Sequence, residues 1–166
     1  MTERNATVRP TASDSFRSAM ARCAAGVVVA TTRDAAGRPW GFTATSFCSV
    51  SLEPPLILVC VAHSASGYGA FTECGEFAVS VLNEDQQDIA TRFARSGADK
   101  FLPEETTTTR ALLPAVADAL IALDCRVHAR YEAGDHLILV GRVTDVRVRN
   151  GAPLVHHDRA FRTLRP

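Results

Sequence analysis

The stretch from Gly41 to Val61, GFTATSFCSVSLEPPLILVCV, sets the tightest limit on what this chain folds into. Thr43, Thr45, Ser46, Ser49 and Ser51 crowd a run whose remaining residues are those of a strand. Pro54 and Pro55 stop the run, because proline has no N–H to give a ladder. Leu56 to Val61 follows as an unbroken apolar strand. A buried hydroxyl needs a hydrogen-bond partner, so a strand this dense in hydroxyls is poor core material. Residue types alone leave two readings open. Either the run is a half-exposed edge strand with its hydroxyls in water, or it lines a site for a ligand rich in acceptors, such as a phosphorylated ring cofactor.

The rest of the chain reads as strands with a few short helices. Residues 1–12 are polar and proline-marked, a flexible arm ahead of one domain over 13–166. Ser13 or Asp14 is predicted to cap a helix with Phe16, Ala19, Met20 and Cys23 at helical spacing, ending at Gly26. Val27 to Thr32 is β-branched. A turn at Asp34–Gly37 brings the chain back as one partner strand, Trp40 to Val50. Leu56 to Val61 is apolar on both faces and is expected at the centre of the sheet. A short helix or turn over Tyr68–Cys74 and a strand over Phe77–Leu82 come next. Asp85 then caps a helix striped by Ile89, Ala90, Phe93 and Ala94. Lys100 to Arg110 reads as an exposed loop, with Thr106–Thr109 as an alternative edge strand, and Leu112–Asp118 stays ambiguous. Two long strands, Ala122–Tyr131 and His136–Val148, flank a turn at Ala133-Gly134-Asp135. The apolar parity of the second changes between Val143 and Val146, which predicts a bulge near Asp145. Leu154–His157 and Phe161–Leu164 are two last short strands. Antiparallel pairing dominates, and long bulged strands suit a small closed or split barrel, since closure removes exposed edges.

Composition narrows the function classes. The 166 residues suit one domain with a real core. Eighteen basic and eighteen acidic side chains cancel, so no charge surplus favours nucleic acid or an anionic membrane. No apolar run is as long as a membrane span, and the first fifteen residues lack a signal peptide's apolar core. Five widely spaced cysteines, Cys23, Cys48, Cys60, Cys74 and Cys125, show no C-x-x-C and fit neither a zinc site nor a disulfide framework. A reducing, cytoplasmic location is expected.

Several constellations compete as chemistry. Gly67-Tyr68-Gly69 follows an apolar strand like a dinucleotide-binding turn. However, Thr72 holds the third glycine position, the turn starts six residues after Val61, and Gly75 leaves room for little helix. His156 and His157 are adjacent and point to opposite sides of a strand, while His63, His128 and His136 lack metal-ligand spacing. No G-x-S-x-G nucleophile elbow occurs. Ser64 and Ser66 either hold a phosphate beside backbone N–H groups or simply cap a helix. His136, after a Gly-Asp turn, is a structural residue or a site residue. The His156–Arg159 cluster is a cationic site or a solvated tail.

The motifs GVVVATTRDAAGRPWGFTATSFCSVSLEPPLILVCV, FAVSVLNEDQQDIATRFA, DKF and GDHLILVGRV occur in that order. In this the chain resembles the short-chain flavin reductases, the reductase components of two-component flavin-dependent monooxygenases, over roughly residues 14–165. The resemblance implies an FMN-binding split β-barrel of Greek-key-like antiparallel strands, mainly β with short helices. It also implies a homodimer, NAD(P)H-dependent reduction of FAD or FMN, and delivery of reduced flavin to a partner monooxygenase.

By the same resemblance, Thr43, Ala44, Thr45 and Ser46 line the flavin ring and ribityl chain. Cys60 and Val61 present backbone groups to the isoalloxazine, and Ser64 and Ser66 bind the flavin phosphate. Arg92, Phe93, Lys100 and Phe101 close over the flavin tail. His136 stands beside the nicotinamide as the catalytic-site histidine, and His157, Arg159 and Phe161 hold the reduced dinucleotide. There the family often carries an R-G-R/K-like stretch, whereas this chain has HHDRAF. Arg159 and Arg162 suit a 2′-phosphate whereas Asp158 repels one, and these residues do not choose between the two; NADH is the expected donor, with NADPH as the alternative. Hydride transfer needs two stacked rings and donors for the charge that grows on the flavin, not a side-chain nucleophile. The alternative from another class is a non-catalytic flavin-binding or electron-carrier protein of the same fold.

Overall fold

The computed structural model describes residues 11–164, so the arm expected over residues 1–12 lies almost wholly outside the described residues. Helix α1 (Ala12–Met20) begins after Thr11, whose hydroxyl oxygen accepts from the Asp14 N–H at 3.1 Å. Thr11, rather than Ser13 or Asp14, is therefore the cap. The helix ends at Met20, well short of Gly26, and Phe16 and Met20 stay exposed instead of forming a buried stripe.

The strands follow in chain order: β1 (Ala25–Gly26), β2 (Val28–Arg33), β3 (Pro39–Ala44), β4 (Phe47–Ser51) and β5 (Leu56–Ala62). After helix α2 (Tyr68–Glu73) come β6 (Glu76–Val81) and helix α3 (Gln87–Ala94). The remainder is β7 (Thr106–Thr108), β8 (Pro114–Val116), β9 (Ile121–Ala133), β10 (His136–Val148), β11 (Val155–His157) and β12 (Ala160–Arg162). Seven of these make one sheet in the order β3-β2-β6-β9-β10-β5-β4, with every neighbouring pair antiparallel. No helix among the described residues is long and apolar enough to cross a membrane.

Chain connectivity closes this sheet. β3 and β4 are its two edges, yet only Thr45 and Ser46 separate them in sequence. With about 3.8 Å between successive Cα atoms, Ala44 and Phe47 lie within about 11 Å of each other. A seven-stranded sheet meets that condition only by curling until its edges approach. The product is an antiparallel barrel split along the seam between β3 and β4. The single strand expected over Trp40–Val50 is thus two strands, and the second pairs with β5 rather than with β2.

The strands β2 and β6 are covered on both faces, whereas β5 is not. Val28 and Ala30 face the barrel interior, while Val27 and Val29 pack outside it with Leu82, Ile89 and Phe93 beneath α3. On β5, Ile57, Val59 and Val61 are buried while Leu58, Cys60 and Ala62 are only half-buried. Thr32 is buried and donates to the Glu76 carbonyl at 2.8 Å, and Thr31 donates to the Pro114 carbonyl. These hydroxyls satisfy themselves on neighbouring backbone.

Helix α3 begins at Gln87 behind Gln86, which makes no side-chain cap bond. The Gln86 side chain is used instead in the tertiary structure, donating to the Ala117 carbonyl at 2.7 Å and accepting from the Asn83 N–H. The register of β9 against β10 shifts between Val143 and Asp145, as the parity change predicts, and again between Val140 and Gly141. At Gly141 an added Cβ would lie 2.9 Å from the Cys125 Cβ and closer still to the Phe77 ring. The glycine leaves the space that Phe77 fills inside the barrel.

Replacing Gly141 with alanine is therefore predicted to lower the unfolding free energy by about 1–3 kcal/mol, the usual cost of overpacking a filled core. Urea denaturation reads this directly. Adding Phe77→Leu to Gly141→Ala is expected to cost less than the sum of the two single changes, because both act on the same space.

Candidate functional site

The seam gathers residues from across the sequence. The end of β3, the Thr45–Ser46 link, the half-buried face of β5, the turn after it, the end of α3 and the start of β10 enclose a cavity of about 390 Å³. Of the residues expected there, Thr43, Ala44, Thr45, Ser46, Cys60, Ser64, Ser66, Phe93, Lys100 and His136 all line it. Phe42, Ala62, Ala65, Ala94 and Ser96 complete the wall and were not expected. Ala62 was readable in principle, since it shares a face with Cys60 at the strand period of two.

Six expected residues stand elsewhere. Val61 is fully buried, because the alternation of β5 turns it into the barrel core when Cys60 faces the cavity. Arg92 pairs with Glu105 and does not line the cavity. The β11–β12 hairpin carries His157, Arg159 and Phe161 in a separate sheet against β1, and none of the three lines the cavity within one chain. Arg159 donates to the Ser18 hydroxyl at 3.3 Å, and Phe161 packs onto the cluster beneath α3. Phe101 supports the site indirectly. It meets Phe93 edge-on at 5.2 Å and lines a neighbouring cavity.

The hydroxyls divide by what they already hold. Thr43 donates to the Ala90 carbonyl at 2.6 Å and so fastens β3 to α3. Ser46 donates to the Cys60 carbonyl at 3.3 Å and accepts from the Cys60 N–H at 3.2 Å, which pins the link across to β5. The Cys60 N–H is thus engaged by Ser46, which also shares the Cys60 carbonyl. Thr45, Ser64 and Ser66 are exposed at the cavity rim, and no protein group among the described residues bonds to their hydroxyls. Lys100 sends Nζ to the carbonyls of Gly41 and Phe93, both at 3.0 Å. Partial burial pushes its pKa below the ordinary lysine value. An ammonium has three donors, so one remains for a ligand.

His136 opens β10 after the turn at Gly134, whose φ of 64° lies in the left-handed region that favours glycine. Its Nδ1 lies 2.7 Å from Asp135 Oδ1, and that hydrogen bond holds the Asp135 carboxyl below the usual carboxylate range. With Nδ1 engaged, Nε2 is the ring nitrogen left for the cavity.

A second cavity, of about 600 Å³, adjoins the first and shares Ser66 and Lys100 with it. Trp40 and Arg38 stand on its wall, with the guanidinium 5.0 Å from the indole centroid. Asp34 orders both. It accepts from Trp40 Nε1 at 2.9 Å and from Arg38 Nε at 3.2 Å.

Residues 20–165 match the family described as the flavin reductase like domain. The chain is 52% identical over 150 residues to the actinorhodin polyketide dimerase of Streptomyces coelicolor, covering 90% of this chain and 85% of that protein. It is 43% identical over 155 residues to the NADH:riboflavin 5′-phosphate oxidoreductase of Streptomyces pristinaespiralis, covering 92% and 88%. Among solved structures, the NADH:FAD oxidoreductase of Streptomyces globisporus C-1027, in complex with NAD and FAD fragments, superposes with a TM-score of 0.88 at 34% identity over 96% of each chain.

The Asp34 carboxyl is depressed from 3.8 to about 2, first by the Trp40 indole N–H and then by backbone and side-chain donors of the turn. A carboxyl lowered in the folded state stabilises it above pH 3.8, and that contribution is lost as pH falls through about 2. A carbon-13 carboxyl titration is expected to give an Asp34 midpoint near 2 in the native protein. In Trp40→Phe the midpoint should rise toward 3.8. An unchanged midpoint would mean that the indole is not the main donor.

Proposed function

The chain belongs to the flavin reductase-like family, and we propose that it transfers hydride from NADH to FAD or FMN and releases the reduced flavin to a partner flavin-dependent monooxygenase. The observation that carries this is the seam cavity. It pairs an apolar slot formed by Phe42, Ala44, Ala62 and Phe93 with unpartnered hydroxyls and a cation at one end. An amphipathic ligand with a flat apolar ring and a phosphate tail fits such a slot.

Bound flavin would supply the hydride acceptor: one hydride from NADH and one proton convert it to the dihydroflavin and leave NAD⁺. The protein supplies position. Thr45 donates toward the ribityl chain, and Ser64, Ser66 and the free Lys100 donor hold the phosphate. Ser46 acts by fixing the wall, since its hydroxyl is held by the Cys60 backbone rather than offered to the ligand. Cys60 contributes its half-buried side chain to the slot. His136 Nε2 sits at the mouth, where it orients the nicotinamide over the ring. The walls at Thr45, Ser46, Ser64 and Ser66 are exposed, which suits a flavin that enters oxidised and leaves reduced.

A homodimer belongs to the same proposal. Val50, Leu52, Val146 and Val148 expose large apolar side chains toward one end of the sheet, as an unpartnered interface would. The His157–Phe161 hairpin stays outside the single-chain site. Five unpaired cysteines support a reducing, cytoplasmic setting.

Loss of the NADH absorbance band on adding FMN or FAD tests the activity. Turnover with at least one flavin is expected, whereas a protein that binds flavin but oxidises no NADH would be the electron carrier instead. His136→Ala is predicted to raise KM for NADH about tenfold, the size of one lost hydrogen bond, with a smaller change in KM for flavin. Equal changes in both would make His136 only a structural residue.

A further inference from the structure

FMN, which ends at its single phosphate, leaves the second cavity beyond Ser66 and Lys100 unaccounted for. That cavity opens from the end of the flavin slot where Ser66 and Lys100 stand, since those two residues line both spaces. A flavin whose phosphate rests on Ser66 and Lys100 has its next chemical bond directed toward this space. FMN ends there. FAD continues with a second phosphate, a ribose and an adenine.

The wall carries a group for each of these parts. The Arg38 guanidinium is mostly solvated and placed over the Trp40 ring, where it can take a phosphate without giving up the stack. Trp40 with the overlying guanidinium offers a flat aromatic and cationic surface of the kind on which bases stack. Asp99 is the carboxylate on the wall, an acceptor for ribose hydroxyls or for the adenine amine. Asp34 bonds to both Arg38 and Trp40, so the surface is ordered before any ligand arrives. Gly67 lies against the indole, where an added Cβ would sit 3.3 Å from Trp40 Cβ and Cε3, so the turn holding Ser66 also seats the ring.

We propose that this second cavity is an adenylate subsite that takes the AMP half of FAD and makes FAD the preferred flavin. The inference rests on the flavin reading of the first cavity. NADH also carries an adenylate, and the two sources separate experimentally.

The test compares dissociation constants for FAD and FMN, measured by flavin fluorescence titration of the ligand-free protein, with those of Arg38→Ala and Trp40→Leu. Arg38 is exposed, so its variant is expected to fold. The native protein should bind FAD at least about fivefold tighter than FMN, and each variant should lose most of that ratio. AMP at saturation should weaken FAD binding toward the FMN value. Equal affinity of the native protein for both flavins would overturn the proposal, as would an undiminished ratio in both variants. A rise in KM for NADH in Arg38→Ala with the flavin ratio intact would assign the cavity to the pyridine nucleotide and overturn it equally. If neither flavin binds, the flavin reading itself fails, which is a different result from two flavins bound alike.

Discussion

Two residues, Thr45 and Ser46, join opposite edges of a seven-stranded sheet. Covalent length turns this connection into architecture, because edges that must lie within about 11 Å of each other force the sheet to curl. The seam stays unpaired in hydrogen bonds, so it remains open as a slot. Ser46 completes the closure by bonding to both backbone groups of Cys60 on β5. Everything that lines the slot depends on this. β3 delivers Thr43 and Ala44, β5 delivers Cys60 and Ala62, and the β5–β10 pairing sets His136 opposite Ala62.

The hydroxyls show how one sequence feature serves two ends. A hydroxyl bonded to protein backbone stiffens a wall, while a hydroxyl left without a partner at a cavity rim is available to a ligand. Thr43 and Ser46 are of the first kind, and Thr45, Ser64 and Ser66 of the second. Lys100 combines both roles, with two donors spent on Gly41 and Phe93 and one remaining. The slot therefore has a rigid floor and an exposed, polar mouth. That division suits a ligand held long enough for hydride transfer and then released.

Much of this was legible in the sequence. Strand periodicity and turn residues place most of the strands, and the parity change in His136–Val148 marks the bulge. Resemblance to a known family named ten of the cavity residues. Other features depended on tertiary contacts. Thr11 is not more cap-like than Ser13 or Asp14 until the helix start is known. The two-faced burial of β2 arises because α3, Val116 and Leu154 cover its outer side, and apolar β5 looked as central from its residues alone. The Val61 side chain faces the core, one step of strand parity from Cys60, so the expectation for Val61 concerns its backbone alone. Arg92 was taken by Glu105, thirteen residues on, and the β11–β12 hairpin docks against β1, a long-range pairing that local pattern does not encode. Trp40 was read as the start of a strand and Arg38 fell between turn and strand, and their joint wall emerges only when Asp34 draws both side chains together.

A crystal structure of the protein soaked with FAD tests the central claim most directly. The isoalloxazine ring is expected in the seam, against the Thr45–Ser46 link and the Cys60 side chain, with the flavin phosphate on Ser64, Ser66 and Lys100. A ring bound away from the seam, for example against the β11–β12 hairpin with the seam empty, would contradict the account.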